Sequence, residues 1–582
     1  MAKEHQEMTR QTLRAIRNAE PSIPLVERLV AAGLISEQQL QAALNEKSRH
    51  DRPLGQILVD LGVISEGILR ETLGKLLGRD SIDLRNAIPD PDALRMLPKN
   101  IARRHSVLPI KFDSRGQVLT LAVPGTINIV AMDQIAAVLG SGIGIATLLA
   151  GGAEIESAIE RCYEHELSIP GILREIDTGN VDVLNVAVEN EAYNHPLIRL
   201  VDAILADAVK HNASDVHLEP EFGFLRVRYR IDGVLRQAMT LHRNYSPGIA
   251  ARLKAMSKID LAKTCAPRDG YVSMTLSGRR IDLRVACQAT THGENFVLRL
   301  QDRDKDIVPL EKLEFRQETL TSLQLMLARP EGIFIVAGPS DSGKTSTLYS
   351  MLNYLNDESV HITTLEDPAE YPLAMVRQTS LNTAAEIDYA DGIRSALRQD
   401  PDIIMVGELR DEKAARMAFR AAMTGHRIFT TLLANNALAA IPRLIDIGVK
   451  RQMIAGNITG ILAQRLVRRL CIDCKQPYAP NEAERRLLGI SSSKPIRLYR
   501  EGACDACNFL GYKGRIAVVE VLKIDAELDD MIARVASRQE MHQHAVSCGL
   551  KDLADEAIRH VRKGLTSVSE ISRVVDLTAR LQ

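Results

Sequence analysis

The chain has no tryptophan, and aromatic residues fill only 4% of its 582 positions. Basic stretches interleaved with aromatics are missing, so no groove that stacks nucleic-acid bases is expected. Charge excess is missing as well: 73 Lys and Arg face 74 Asp and Glu, a formal net charge of −1. That balance argues against a uniformly basic nucleic-acid binder and leaves room only for local patches. No run of about eighteen apolar residues occurs, so no membrane span is expected. The opening "MAKEHQEMTRQTLRAIRN" carries no apolar core of signal-peptide type, and a cytosolic protein is the expectation. The eight cysteines are few for such a length. Four of them fall into two C-x-x-C pairs, which in an intracellular protein point to metal rather than disulfides.

What is present divides the chain. Its length exceeds what one core can hold, so about three or four domains are expected. After a tail over 1–20, "PLVERLVAAGLISEQQLQAALNEK" (24–47) aligns with "PLGQILVDLGVISEGILRETLGKL" (53–76) at a period of 29. Gly33 and Gly62 suit helix C′ positions, and Ser36 and Ser65 suit N-caps. A helical repeat over 21–79 follows, either a packing module or a pair with a ligand site between the copies. From 80 to 165 strand-like runs ("SVLPIKF", "VLTLAV", "GIGIATLL") alternate with helical ones ("PDALRMLPKNIARRH", "NIVAMDQIAAVL", "AEIESAIERCY"), predicting an α/β module. Residues 166–194 show no clear period and read as a linker. A second mixed module covers 195–305, and a third region runs over 306–582.

The third region carries the chemistry. "GIFIVAG" runs into "GPSDSGKTS": Gly338, Pro339, Ser340, Asp341, Ser342, Gly343, Lys344, Thr345 and Ser346. Gly338, Gly343, Lys344 and Thr345 fit G-x-x-x-x-G-K-[ST] in its required strand–loop–helix context. There backbone N–H groups wrap phosphate, the Lys reaches the β- and γ-phosphates, and the Thr hydroxyl meets Mg²⁺. "ITTLEDPAEYPL" (362–373) places Glu366, Asp367 and Glu370 at the end of an apolar run, and "DPDIIMVGELRD" (400–411) places Glu408 likewise. Acids outside the carboxyl ends of such strands can face Mg²⁺ and an attacking water.

These pieces together resemble the GspE/PulE/PilB family of secretion and pilus assembly ATPases. The likeness runs through "ASDVHLEPEFGFLRVRYRIDGVL" (213–235), "GENFVLRL" (293–300), the phosphate loop, "EDPAEY" (366–371), "LRQDPDIIMVGELRD" (397–411), "TGH" (424–426) and "AQRLVRRLCIDC" (463–474). The N-terminal repeat with "LPKNIARRHSVLPI" resembles the accessory, MshEN-like domain of longer members, some of which bind cyclic di-GMP. The resemblance implies an α/β, multi-domain chain: a RecA-like P-loop core preceded by a PAS-like domain and the accessory domain. It implies a homohexamer at the cytoplasmic face of the bacterial inner membrane that turns a polytopic platform protein as ATP is hydrolysed. It also implies roles: Lys344 and Thr345 on phosphate and Mg²⁺, Glu408 positioning or activating water, Glu370 as second catalytic acid, His426 from the histidine box. Arg284 and Arg299 fall in the stretch that supplies arginines to the nucleotide.

Three departures from the family pattern stand out. Asp341 replaces a glycine; its carboxylate about 6 Å from a phosphate charge would cost roughly 3 kcal/mol at an effective dielectric of 20, and less than about 1 if it points to water. Asp tolerates the left-handed backbone, so the loop can keep its curl. Leu433 stands where the second histidine is usual, and leucine neither hydrogen-bonds phosphate nor relays a subunit contact. Pro24-Leu25-Val26 and Pro53-Leu54-Gly55 replace Arg-Leu-Gly, which removes the bidentate partner of a guanine dinucleotide, although Arg28 and Arg52 lie close by. Cyclic di-GMP is accordingly not expected. A slowed ATPase and a non-hydrolysing ring subunit both remain open.

Cys471, Cys474, Cys504 and Cys507 form two knuckles with 29 residues between them, the spacing of a closed Cys₄ zinc site over 465–515. Redox dithiols are the alternative. Cys162, Cys265, Cys287 and Cys548 read as ordinary buried residues. The basic runs "RLVRR" (465–469) and "ARRH" (102–105) read as solvated faces or as contacts to anionic lipid or a partner.

Overall fold

The computed structural model describes residues 80–580, except 85–86, 115, 125–128, 141, 164–167, 179–194, 261–267, 304–306, 382–387 and 491–494, with scattered positions before 80. Most of the expected repeat over 21–79, including Gly33, Ser36, Gly62, Ser65, Arg28 and Arg52, lies outside the described residues. So does Cys265. The chain divides into two compact units, Met1–Asp304 and Lys305–Gln582. Among the described residues no helix is long and apolar enough to cross a membrane.

In the first unit, β1 (Ala87–Ile88) joins a large sheet, while β2 (Leu108–Asp113), β3 (Val118–Val123) and β4 (Gly144–Leu149) form a small one in the order β2-β3-β4. The expected long helix over 91–105 is two helices, Pro91–Met96 and Lys99–His105. Pro98 explains the break, because it lacks an N–H and forces Leu97 out of helical geometry. The expected linker over 166–194 contains a helix, Ile169–Thr178, which buries Ile172 and Ile176 one turn apart. Its Glu175 carboxylate accepts two hydrogen bonds from the buried Arg199 guanidinium, at 3.0 and 2.5 Å. Arg199 belongs to the helix Pro196–Lys210.

That helix covers one face of a seven-stranded sheet. β5 (Ala213–Pro220), β6 (Phe224–Ile231), β7 (Val234–His242), β8 (Arg268–Leu276), β9 (Arg279–Thr290) and β10 (Gly293–Asp302) join β1 in the order β1-β8-β9-β10-β5-β6-β7. The sequence alternates with a period of two, as a half-covered sheet requires. Leu225, Val227 and Tyr229 enter the core, while Arg226, Arg228 and Arg230 take the other face.

The second unit is built on β11 (Gly332–Ala337), β12 (Ile362–Glu366), β13 (Arg377–Ser380), β14 (Ile403–Val406), β15 (Arg427–Leu432), β16 (Ile458–Leu470) and β19 (Tyr512–Lys523). Their order is β13-β12-β14-β15-β11-β16-β19, parallel except for the β16/β19 pair. Every residue of β11, β12 and β14 is buried, as expected of parallel strands with both faces covered. Between β16 and β19 the chain makes a small ribbon of β17 (Gln476–Tyr478) and β18 (Leu498–Arg500).

C-terminal helices Leu553–Arg562 and Val568–Val574 pack on β16 and β19 through Val467, Ile516, Val518, Ala557 and Val561. His560 is fully buried there, its Nε2–H donating to Ala517 O at 3.1 Å while Nδ1 has no partner. Burial, aided by Arg559, pushes its pKa down from 6.5 to about 4. The unfolded chain therefore binds the proton first. Stability from this residue is complete above pH 6.5 and lost as pH falls toward 4, by roughly 3 kcal/mol. Calorimetric melting at stepped pH should show this loss, and His560→Gln, which can still donate to Ala517, should flatten it.

Candidate nucleotide site and cysteine cluster

The loop after β11 is shaped by its neighbours. Gly338 N–H donates to Leu432 O at 3.1 Å. A Cβ on Gly338 would lie 2.6 Å from Gln464 O and 2.5 Å from Ser342 Oγ, so only glycine fits. Gly343 takes φ +83° and Asp341 takes φ +58°, so the aspartate does adopt the left-handed backbone expected of it. Ser342 Oγ donates to Pro339 O at 2.9 Å, and Lys344 Nζ donates to the same carbonyl at 2.7 Å. The helix Lys344–Leu355 begins without a side-chain cap, so its first-turn N–H groups and positive dipole end face the loop. Thr345 and Ser346 sit half-buried in that first turn, whereas Pro339, Ser340 and Asp341 are exposed.

Gln464, in β16, holds the loop from below. Its Nε2 donates to Ser342 O at 2.8 Å, and its Oε1 accepts from Thr347 Oγ1 at 2.8 Å. Sequence reasoning missed this role, because 122 residues separate Gln464 from Ser342. Gln464→Ala would strand a buried carbonyl and a buried hydroxyl, at about 1–3 kcal/mol each. Titration calorimetry should show Mg-ATP affinity reduced by about tenfold or more.

The acids collect at the same edge. The loop, Glu366 to Glu370, Gly407-Glu408 and Leu433 follow the carboxyl ends of β11, β12, β14 and β15, where open α/β sheets bind ligands. Glu366 is buried and accepts from Tyr349 Oη, from Thr364 Oγ1 at 2.5 Å and from Gln378 Nε2 at 3.1 Å. Burial, then Glu366, drives the Tyr349 phenol pKa upward, so it keeps the proton it donates to Glu366, while its oxygen accepts the Glu370 N–H at 3.2 Å. Glu366 is thus a buried anchor, and Tyr349 passes its position to the Glu370 loop. Glu408 is half-buried and accepts from Arg410 Nε at 2.9 Å, while Arg410 Nη1 reaches Asp367 at 3.3 Å. Burial pushes the Lys344 ammonium below its ordinary range, partly offset by Glu408 and Asp341, with Glu370 a weaker contributor. Loop and acids therefore form one electrostatic unit.

His426 precedes β15, whose first residue pairs with Gly332, so it lies at the opposite end of the sheet from the loop. Its Nδ1 approaches Ala421 O at 3.1 Å. Within one chain, the length of β15 therefore separates His426 from the phosphate loop. Leu433, by contrast, lies at the loop end and is exposed. Arg284 and Arg299 are cross-strand partners on β9 and β10 in the first unit, both exposed. Asp215 binds Arg299 Nε at 3.0 Å.

The four cysteines of the knuckles converge. Sγ separations are 3.8 Å for Cys471–Cys504, 3.8 Å for Cys474–Cys507 and 3.7 Å for Cys504–Cys507. Four thiolates about 2.3 Å from a tetrahedral ion would lie about 3.8 Å apart, so the cluster could hold a metal ion. Gly511 N–H donates to Cys507 Sγ at 3.2 Å, the kind of bond that steadies a ligating sulfur.

The MshEN domain family matches residues 77–169, and the family described as Type II/IV secretion system protein matches 190–573. The chain is 35% identical over 562 residues to the Type IV pilus assembly ATPase PilB of Myxococcus xanthus, covering 94% of this chain and 98% of that protein. It is 34% identical over 571 residues to Type II secretion system protein E of Xanthomonas campestris pv. campestris, covering 96% and 99%. Among solved structures, the Legionella pneumophila ATPase DotB aligns with a TM-score of 0.49 at 21% identity, covering 64% of this chain and 94% of that one. The chain belongs to the Type II/IV secretion system protein family.

Proposed function

We propose that this protein is an ATP-hydrolysing motor subunit that powers assembly of a type IV pilus or a type II secretion pseudopilus. The carrying observation is the shared carboxyl edge, where the Lys344–Thr345 loop meets Glu370 and Glu408. In this reading the loop N–H groups and Lys344 bind the triphosphate, and Thr345 supplies the hydroxyl for Mg²⁺. Mg²⁺, when bound, neutralises charge on the phosphate oxygens. Glu408, oriented by Arg410, positions water, and Glu370 is the second acid. Lys344 must leave Pro339 O to reach phosphate, a swap of one acceptor for a charged one.

The proposal extends to a homohexamer working at the inner membrane against a polytopic platform protein, with His426 at a subunit contact rather than at its own loop. Arg284 and Arg299 would then supply guanidinium charge to a nucleotide, Arg299 on release from Asp215. The domains proposed are an accessory domain over 21–165, a PAS-like domain over 195–305 and a RecA-like motor over 306–582. Zn²⁺ is assigned to the Cys471, Cys474, Cys504 and Cys507 quartet as a structural ion. Neither nucleic acid nor cyclic di-GMP is assigned. Steady-state phosphate release by the full chain is the test. Release that is no faster than that of Glu408→Gln would instead favour a non-hydrolysing ring subunit, the reading that Leu433 and Asp341 motivate.

A further inference from the structure

Cys162 and Cys287 are buried as expected, but Cys548 is exposed, which corrects the reading of all four lone cysteines as buried. It is also not alone. His544 lies four residues earlier, at the last turn of the helix Arg538–Ser547, so both side chains project from one face. Asp525, the N-cap of the helix Ala526–Ala533, faces them from across the turn.

We propose that Asp525, His544 and Cys548 form a second transition-metal site, suited to Zn²⁺ and separate from the cysteine quartet. The first support is geometric. Cys548 Sγ lies 3.6 Å from His544 Nε2 and 3.6 Å from Asp525 Oδ2, and His544 Nε2 lies 3.0 Å from both Asp525 oxygens. For sulfur, nitrogen and oxygen around a tetrahedral zinc, usual bond lengths predict about 3.6 Å for the two sulfur separations and about 3.4 Å for nitrogen to oxygen. Both sulfur separations agree, and the third needs to open by a few tenths of an ångström. The second support is outside the cluster: His544 Nδ1 faces Glu527 Oε2 at 3.5 Å. A ligating histidine commonly gives its other N–H to a carboxylate, which fixes the ring and raises its basicity. The third is access. His544 is mostly buried, yet the three residues line a cavity of about 580 Å³ that also presents Lys523 and Lys551. A fourth position there would take water or a small anion, the open arrangement of a non-structural site. Binding would release the Cys548 thiol proton to solvent.

The experiment uses full-length protein, stripped with chelator and then given Zn²⁺ alone, with a short pulse of alkylating reagent. The Cys548 peptide is quantified by mass spectrometry, so the quartet does not confuse the readout. Zn²⁺ should slow Cys548 alkylation by about tenfold or more. His544→Gln should abolish that protection, as should Asp525→Asn, which keeps the N-cap acceptor for Leu528 N–H. Glu527→Ala should raise the Zn²⁺ concentration needed by about tenfold. Equal alkylation of the unmutated protein with and without Zn²⁺ overturns the site. Undiminished protection in His544→Gln overturns it equally.

Discussion

Glu408→Gln should lower steady-state phosphate release by about 10²–10⁴-fold, the usual loss when a positioned proton acceptor is removed. The substitution keeps the size of the side chain, and its amide oxygen can still accept from Arg410 Nε, now 2.9 Å from the carboxylate. What disappears is the negative charge facing the loop. That charge also offsets the burial of Lys344, so its loss lets the Lys344 pKa fall further. Nucleotide binding should change little by comparison, because the loop N–H groups, Gln464 and Thr345 are untouched. Binding within about threefold of the unmutated protein, with turnover gone, is the expected pair of results. Unchanged turnover would remove Glu408 from the chemistry.

Removal of the metal proposed for the cysteine quartet should produce the largest structural effect. Structural zinc sites carry apparent binding free energies of about 10–16 kcal/mol, which become folding free energy of the segment they clasp. Here, among the described residues, the segment between Cys471 and Gly511 has the three-residue strands β17 and β18, the short helix Glu482–Leu487 and one 3₁₀ turn, Asp505–Cys507. Asn508 and Phe509 both sit at positive φ, 50° and 58°. A left-handed phenylalanine costs about 1–2 kcal/mol, and metal on Cys504 and Cys507, with the Gly511 N–H on Cys507 Sγ, would hold the turn there. Chelation, or Cys474→Ser, should therefore speed proteolysis within 471–511 by at least about tenfold, while the β11–β16 core keeps its melting transition. Equal cleavage rates with and without chelator would show the knuckles to be self-supporting.

Much of this was legible in the sequence because it is local. The strand, glycine loop and helix around Lys344 lie within about two dozen consecutive residues, and each C-x-x-C pair is a single turn. Strand-end acids were readable because apolar runs mark where β12 and β14 stop. Contacts made by register were not readable. Nothing near His426 says that it occupies the far end of β15, since that follows from pairing with β11. Gln464 hides in a motif noticed for its arginines, and Asp525 meets Cys548 only when two helices pack. The helix Ile169–Thr178 was missed because its polar surroundings mask a stripe as short as Ile172 and Ile176. Asp341 fell between these cases: its backbone was predictable, and its exposure places the electrostatic cost at the low end of the range argued above.

β16 joins the two sites. Gln464 clasps Ser342 near the middle of this strand, and the strand continues unbroken to Leu470, one residue before Cys471. Seven residues of extended chain span roughly 23 Å, paired with β19 from Gln464 to Arg468 and again at Leu470 after a shift of register. The phosphate cradle and the cysteine knob are thus bolted to one girder. A load applied at the cysteine end and a nucleotide seated at the cradle would thus bear on the same strand.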